Sequence, residues 1–177
     1  MNAMADSRNS QGGEVPMIHQ KHFREVLGSY PSGIVIVTAR DGDERLGVTL
    51  QTFHSLSLDP PLVAFFPGKS SSSWPRIAAA GRFCINVLAQ DQGAIAYQFA
   101  SKTDKFADLR TDDDAWGCPR IPGCIAHISC SLESITDGGD HHIVVGRVEE
   151  LSADGNLSPL IYFRGGFWSL DDTTSAV

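Results

Sequence analysis

The reading turns on Gly47 to Lys69, GVTLQTFHSLSLDPPLVAFFPGK, two extended segments parted by Asp59-Pro60-Pro61. The first carries Thr49, Gln51, Thr52, Ser55 and Ser57, and its odd-numbered members share a parity that points them to one face of an extended chain. The second, Leu62 to Phe66, is an unbroken apolar run between prolines, the pattern of a central strand buried on both sides. A row of hydroxyls and amides beside such a strand suits a flat, phosphorylated ligand. A half-buried strand with a solvated outer face gives the same pattern.

Upstream, Ile34–Ala39 and Leu46–Leu50 flank Asp41-Gly42 and predict a hairpin. Phe23, Val26 and Leu27 sit at helical spacing within His19–Leu27, and Gly28 followed by Pro31 ends a short amphipathic helix. Downstream, Ser72 or Ser73 caps a helix through Ala80, with Trp74 and Pro75 in its first turn and Gly81 closing it. Phe83–Leu88 reads as a strand. Asp91–Ala100, with Ile95 and Phe99 four apart behind an acidic start, reads as another helix. Ser101–Gly123 is a long polar loop, either a lid or partner contact or simply variable surface.

The remaining chain is strand-rich. Ile125–Glu133, His142–Glu150, Pro159–Phe163 and Phe167–Leu170 are separated by the Asp137-Gly138-Gly139 and Asp154-Gly155-Asn156 turn clusters. Strands without βαβ alternation predict a mainly β fold with flanking helices, arranged as a closed antiparallel barrel. No GxGxxG joins a strand to a helix, so no Rossmann site is implied.

A length of 177 residues suits one domain over 18–170, its core stable without disulfides or structural metals, with a disordered tail over 1–17 and a flexible one over 171–177. A formal net charge of −7 opposes nonspecific binding to nucleic acid or an anionic membrane, so an anionic ligand must be held by local groups. Cys84, Cys118, Cys124 and Cys130 form no CxxC pair and have no histidine at zinc-ligand spacing, so no metal is expected. They read as reduced thiols of a cytoplasmic protein, and Cys84, between Phe83 and Ile85, as a small hydrophobe rather than a redox group. The opening MNAMADSRNSQGGEV lacks the basic start and apolar run of a signal peptide, and no stretch is long enough to cross a bilayer.

Four segments carry a family likeness: GVTLQTFHSLSLDPPLV from Gly47, GRFCINVLAQDQ from Gly81, GGDHHIVVGRVEEL from Gly138 and IYFRGGF from Ile161. In order and spacing they cover nearly all of His19–Leu170, and they resemble the short-chain flavin reductases, the reductase components of two-component flavin-dependent monooxygenases. The resemblance implies an antiparallel Greek-key split β-barrel, a homodimer with flavin near the subunit interface. It also implies hydride transfer from NADH or NADPH to FMN or FAD, the reduced flavin diffusing to a separate monooxygenase.

The same resemblance assigns flavin contacts to Gly47, Val48, Thr49, Gln51, Thr52 and Ser55; many members have Asn-Ser where this chain has Gln51-Thr52, which keeps an amide followed by a hydroxyl. Phe66, Pro67, Gly68, Lys69, Ser72 and Ser73 couple a turn, a cation and hydroxyls to a helix start, a seat for phosphate or a plain serine cap. Members often carry an arginine in this serine run, and its absence leaves FMN and FAD both open. Lys105 and Phe106 match an element that reaches the cofactor, although a solvated lysine beside a core phenylalanine reads the same way. His141, in the GDH pattern, matches the residue that contacts the nicotinamide, while His142 has no assigned role. Phe163, Arg164, Gly165 and Gly166 would help shape the dinucleotide pocket, Arg164 meeting a pyrophosphate or carboxylate or remaining a surface arginine.

Hydride transfer needs positioning more than acid–base chemistry, which agrees with a sequence lacking GxSxG and HExxH; no covalent catalytic residue is expected. A protein that retains its flavin and acts directly on a small molecule, or a non-catalytic flavin-binding module, stands as the alternative.

Overall fold

The computed structural model describes residues 17–170; the expected tails, apart from Met17, lie outside the described residues. In chain order the elements are α1 (Gln20–Leu27), β1 (Ser32–Gly33), β2 (Val35–Asp41), β3 (Glu44–Leu50), β4 (Phe53–Leu58), β5 (Pro61–Phe65) and α2 (Trp74–Ala80). They continue with β6 (Arg82–Val87), α3 (Gly93–Ala100), β7 (Asp112–Asp113), β8 (Pro119–Arg120), β9 (Ala126–Gly138), β10 (His141–Ala153), β11 (Ile161–Phe163) and β12 (Gly166–Trp168).

Seven strands form one antiparallel sheet in the order β3-β2-β6-β9-β10-β5-β4. Its outer members, β3 and β4, are consecutive in the chain and separated by only Gln51 and Thr52. Three trans peptide steps reach about 11 Å at most, so the two edges must lie side by side at that end. The sheet is therefore rolled into a barrel, yet no ladder joins β3 to β4 and the barrel is split along this seam. The closed barrel expected from the strand pattern is thus corrected to an open one. Near the joint, Thr52 is fastened to the chain beyond β5: its Oγ1 accepts from the Phe66 N–H at 3.0 Å and donates to the Phe66 carbonyl at 3.2 Å.

Val35, Val37, Phe65, Phe83, Ile85 and Val144 fill the barrel, and α2 closes it with Trp74 and Ile77. Phe65 meets Trp74 and Phe83 edge-on, with ring centroids 5.5 and 5.3 Å away. Ile36 of β2 and Ile34 just before it face a second core with Phe99, Phe106, Ile121 and Leu160 beneath α3 and the loop after it. Burial on both faces therefore belongs to β2 and β6. In β5, one place from the edge, only Val63, Ala64 and Phe65 are buried, and the expected central strand is corrected accordingly.

Local signals set most element ends. Gly42 (φ +59) turns β2 into β3, Gly139 (φ +81) turns β9 into β10, and Gly81 (φ +70) closes α2. The head of α2 is held by Ser71, whose Oγ accepts from the Trp74 N–H at 3.2 Å, rather than by Ser72 or Ser73. Asp91 precedes α3 without capping it; Gln92 is the boundary residue, while Phe99 is buried on the inner face as its spacing predicts. The 101–123 segment is well anchored. Arg40 holds the Gly117 carbonyl at 2.9 Å, and the buried Asp114 carboxylate accepts from the Trp116 and Cys118 amides and from Ser129. Both β9 and β10 run 13 residues, past the expected ends at Glu133 and Glu150. None of α1 is buried, so its apolar stripe has no partner within the described chain.

Candidate functional site

A cleft of about 950 Å³ opens at the seam, between the Gln51-Thr52 joint, Phe66, the tip of the β9–β10 hairpin, Tyr162 and α1. The hairpin tip is stitched to the chain after β5. The Lys69 N–H donates to the Asp140 carbonyl and the His142 N–H to the Pro67 carbonyl, both at 2.9 Å, and Gly68 pairs with His141. A methyl group on Gly68 would stand 3.7 Å from His141 Nε2, in ordinary van der Waals contact with that imidazole edge.

His141 Nδ1 lies 2.7 Å from Asp140 Oδ1. The hydrogen bond from His141, then its charge, hold the Asp140 carboxyl below the ordinary 3.8, with Arg24 a more distant contributor. An ionised carboxylate only accepts, so Nδ1 carries the proton and Nε2 is free for a ligand. Lys69 is committed elsewhere, to the Asp137 carboxylate.

A second cluster lies around Lys105, whose Nζ donates to the Gly47 carbonyl at 2.9 Å and to Ser73 Oγ at 3.0 Å. Both partners are neutral, and burial pushes the lysine pKa down. A half-buried ammonium with no carboxylate partner among the described residues is a natural seat for an anion. Phe106 is buried against Phe99, ring centroids 4.8 Å apart and edge-on, and Arg45 lies over its outer face. A side chain at Gly47 would strike Phe99, whose nearest ring atom lies 2.4 Å from where a Cβ would stand. Gly47 and Phe106 thus act as packing residues that place Lys105.

The sequence-derived candidates divide between these places. Gln51, Thr52, Phe66, His141 and Gly165 line the cleft. Gly47, Ser73, Lys105 and Phe106 form the lysine cluster. Thr49 turns away, its hydroxyl donating to the Ala96 carbonyl of α3 at 2.8 Å, and Val48 packs against the barrel core. Ser55 is exposed on β4 and Ser72 on the approach to α2, neither in the cleft. Pro67 is buried in the stitched turn, while Phe163 and Gly166 flank the β11–β12 turn. The odd-number parity fails because the joint bends the chain and a bulge lies between Ser55 and Ser57.

His54 and the α1 residues Phe23 and Arg24 also line the cleft although the sequence did not point to them, and so does Tyr162, which the resemblance grouped with the residues shaping the dinucleotide pocket. Tyr162 lies within the quoted IYFRGGF segment, so its signal was present. The spacing of α1 pointed only to a core-facing stripe.

Residues 27–171 match the flavin reductase like domain. Over 154 residues the chain is 47% identical to a flavin reductase of Pseudomonas putida, a match covering 85% of this chain and 89% of that one. The crystal structure of a nitrilotriacetate monooxygenase component B homologue from Mycobacterium thermoresistibile superposes with a TM-score of 0.85 at 40% identity, over 89% of this chain and 91% of that one. The NADH:FAD oxidoreductase SgcE6 of Streptomyces globisporus C-1027, in complex with NAD and FAD fragments, gives a TM-score of 0.83 at 30% identity, over 91% of this chain and all (100%) of that one. With nearly the whole described chain matched, and a split barrel as its fold, this protein belongs to the flavin reductase like domain family.

Proposed function

We propose that this chain is an NAD(P)H:flavin oxidoreductase that supplies reduced FMN or FAD to a separate monooxygenase component. The observation that carries the reading is the seam cleft, where an amide, an oriented imidazole and aromatic rings converge. Its volume, about 950 Å³, lies within the range of small-molecule sites. Phe66 and Tyr162 offer apolar surface for a flat ring, and the Gln51 amide suits its edge of donors and acceptors. The residues present therefore fit a flavin.

A bound flavin supplies the acceptor for a hydride from the reduced nicotinamide. The protein's part is placement. Gln51 holds the ring edge, and Thr52 fixes the joint on which Gln51 stands. Lys105 with Ser73 takes the flavin phosphate, since Lys69 is neutralised by Asp137. His141 presents Nε2 to the nicotinamide, its ring set by Asp140. Nothing in this division requires a covalent residue.

A second copy of the chain covers the apolar face of α1 and completes the wall of the cleft, making the working form a homodimer built on 18–170. No helix among the described residues is long and apolar enough to cross a membrane, and we place the enzyme in the cytoplasm, reaching its oxygenase through diffusing flavin and binding neither nucleic acid nor membrane. The test is steady-state oxidation of NADH and NADPH with FMN, FAD and riboflavin supplied in turn. Turnover that saturates in both nucleotide and flavin is expected. A protein that turns over no free flavin, or whose bound flavin NADH and NADPH leave oxidised without air, would sink the proposal.

A further inference from the structure

The chain has four lysines, Lys21, Lys69, Lys102 and Lys105, and their surroundings differ. Lys21 and Lys69 sit against the carboxylates of Glu25 and Asp137, and Lys102 is exposed. Lys105 is half-buried, and its partners among the described residues are neutral: Nζ donates to the Gly47 carbonyl at 2.9 Å and to Ser73 Oγ at 3.0 Å. The carboxylate next to it in the chain, Asp104, is turned to the Phe106 amide, from which it accepts at 3.0 Å.

A second cation stands beside this cluster. Arg45 lies two places before Gly47 on β3, on the same face, and both meet the Phe106 ring. The guanidinium carbon is 4.6 Å from the ring centroid, and a methyl group on Gly47 would stand 3.6 Å from Phe106 Cζ. Arg45 donates to the Leu109 carbonyl at 3.2 Å and to Thr111 Oγ1 at 3.4 Å, again with no carboxylate partner among the described residues. Two cations served by neutral acceptors suit the double charge of a phosphate monoester. Unlike a guanidinium, an amine also becomes a nucleophile once it loses its proton. Burial, which pushes the Lys105 pKa down, favours that neutral form.

We infer that Lys105 is a site of covalent acylation by small acyl phosphates, the mixed anhydrides of a carboxylic acid and phosphoric acid, whose phosphate takes the seat of the flavin phosphate. This rests on the flavin reductase reading for the identity of that seat and adds a covalent switch to it. The ammonium first gives one proton to water. The amine nitrogen then bonds to the acyl carbon while the bond from that carbon to the bridging phosphate oxygen breaks. Phosphate leaves with the electron pair, and the nitrogen gives up its extra proton to water. The product is a neutral amide, which keeps one N–H for a hydrogen bond but has no charge with which to hold a phosphate.

The experiment incubates the intact chain with limiting acetyl phosphate and follows each lysine by peptide mass spectrometry. Lys105 should be acetylated about tenfold faster than exposed Lys102, at a rate that saturates in acetyl phosphate. Inorganic phosphate and FMN should slow Lys105 and leave Lys102 unaffected. Lys105→Gln, neutral like the product, should raise the FMN dissociation constant about tenfold, the loss of one charge-assisted contact, and leave that of riboflavin, which has no phosphate, unchanged. Acetylated wild type should match that variant, whereas Lys105→Arg, which acetyl phosphate does not acylate, should keep one FMN affinity before and after treatment. Lys105 labelled no faster than Lys102, or as fast with inorganic phosphate present, overturns the assignment, as does an FMN affinity that acetylation of Lys105 leaves unchanged. Phosphate-protected labelling of Lys105 in a protein that oxidises no NADH with any flavin upholds the modification site and refutes the reductase reading instead.

Discussion

At Gly47 a methyl group would enter the space of the Phe99 ring, 2.4 Å from its nearest atom, and Phe99 is fully buried. Gly47→Ala should therefore destabilise the fold by about 1–3 kcal/mol, the usual effect of overpacking, measured as a lowered denaturant midpoint. Because the Gly47 carbonyl also holds Lys105, the same variant should bind FMN more weakly. Thr52 makes two bonds to the Phe66 backbone, so Thr52→Val should lose about 1–2 kcal/mol of stability, while Thr52→Ser loses less. Thr52→Val combined with Ser73→Ala should raise the flavin dissociation constant; an unchanged value would remove both residues from the site. For Asp140 the folded pKa is depressed below 3.8, first by the His141 hydrogen bond, so the contact is present above that pH and lost as pH falls through the lower folded value. An NMR titration should place its midpoint below 3.8, and His141→Ala should bring it back towards 3.8.

The element most at odds with its sequence is α1. Phe23 and Leu27 are 52% and 56% exposed, so a stripe spaced as a core face is solvated in the single chain. With a second copy covering it, Phe23→Glu together with Leu27→Glu should halve the mass seen by light scattering and reduce flavin affinity. A double variant of unchanged mass would show that α1 is not the contact. Such a stripe announces burial but not against what, because partner choice is non-local. The same distinction separates what was legible elsewhere. Hairpins at Asp41-Gly42 and Asp137-Gly138-Gly139 were readable because a left-handed turn residue acts locally. Sheet order was not, since pairing β5 with β10, or β2 with β6, depends on residues far apart in the chain. At the candidate site, Gln51, Thr52, Phe66 and His141, proposed from their segments, line one cleft, whereas the Thr49 hydroxyl turns to the Ala96 carbonyl, a partner 47 residues away that no local pattern announces.

Across the whole molecule the four thiols are free and buried. Burial pushes Cys84 up to about 11 and Cys118, Cys124 and Cys130 up to about 12, from an ordinary 9.0. A thiol reagent at pH 8 should leave native protein unlabelled and modify all four cysteines on unfolding; rapid native labelling would contradict the buried arrangement. Raised folded values mean that stability is fully present below pH 9 and declines as pH climbs from there towards 12, since only the unfolded chain then gives up thiol protons. Replacing Cys130 with Ala should flatten that alkaline decline while lowering stability at neutral pH. The seam has a consequence of another kind. Where β3 and β4 run without rungs between them, the edge amides have no strand partner across the split among the described residues, and the Gln51-Thr52 joint that links the two strands lines the cleft. Deuterium should enter these two edges ahead of β6 and β9, and a flavin lodged at the joint should slow their uptake, so that occupancy can be followed from the backbone alone, in the dark and without turnover.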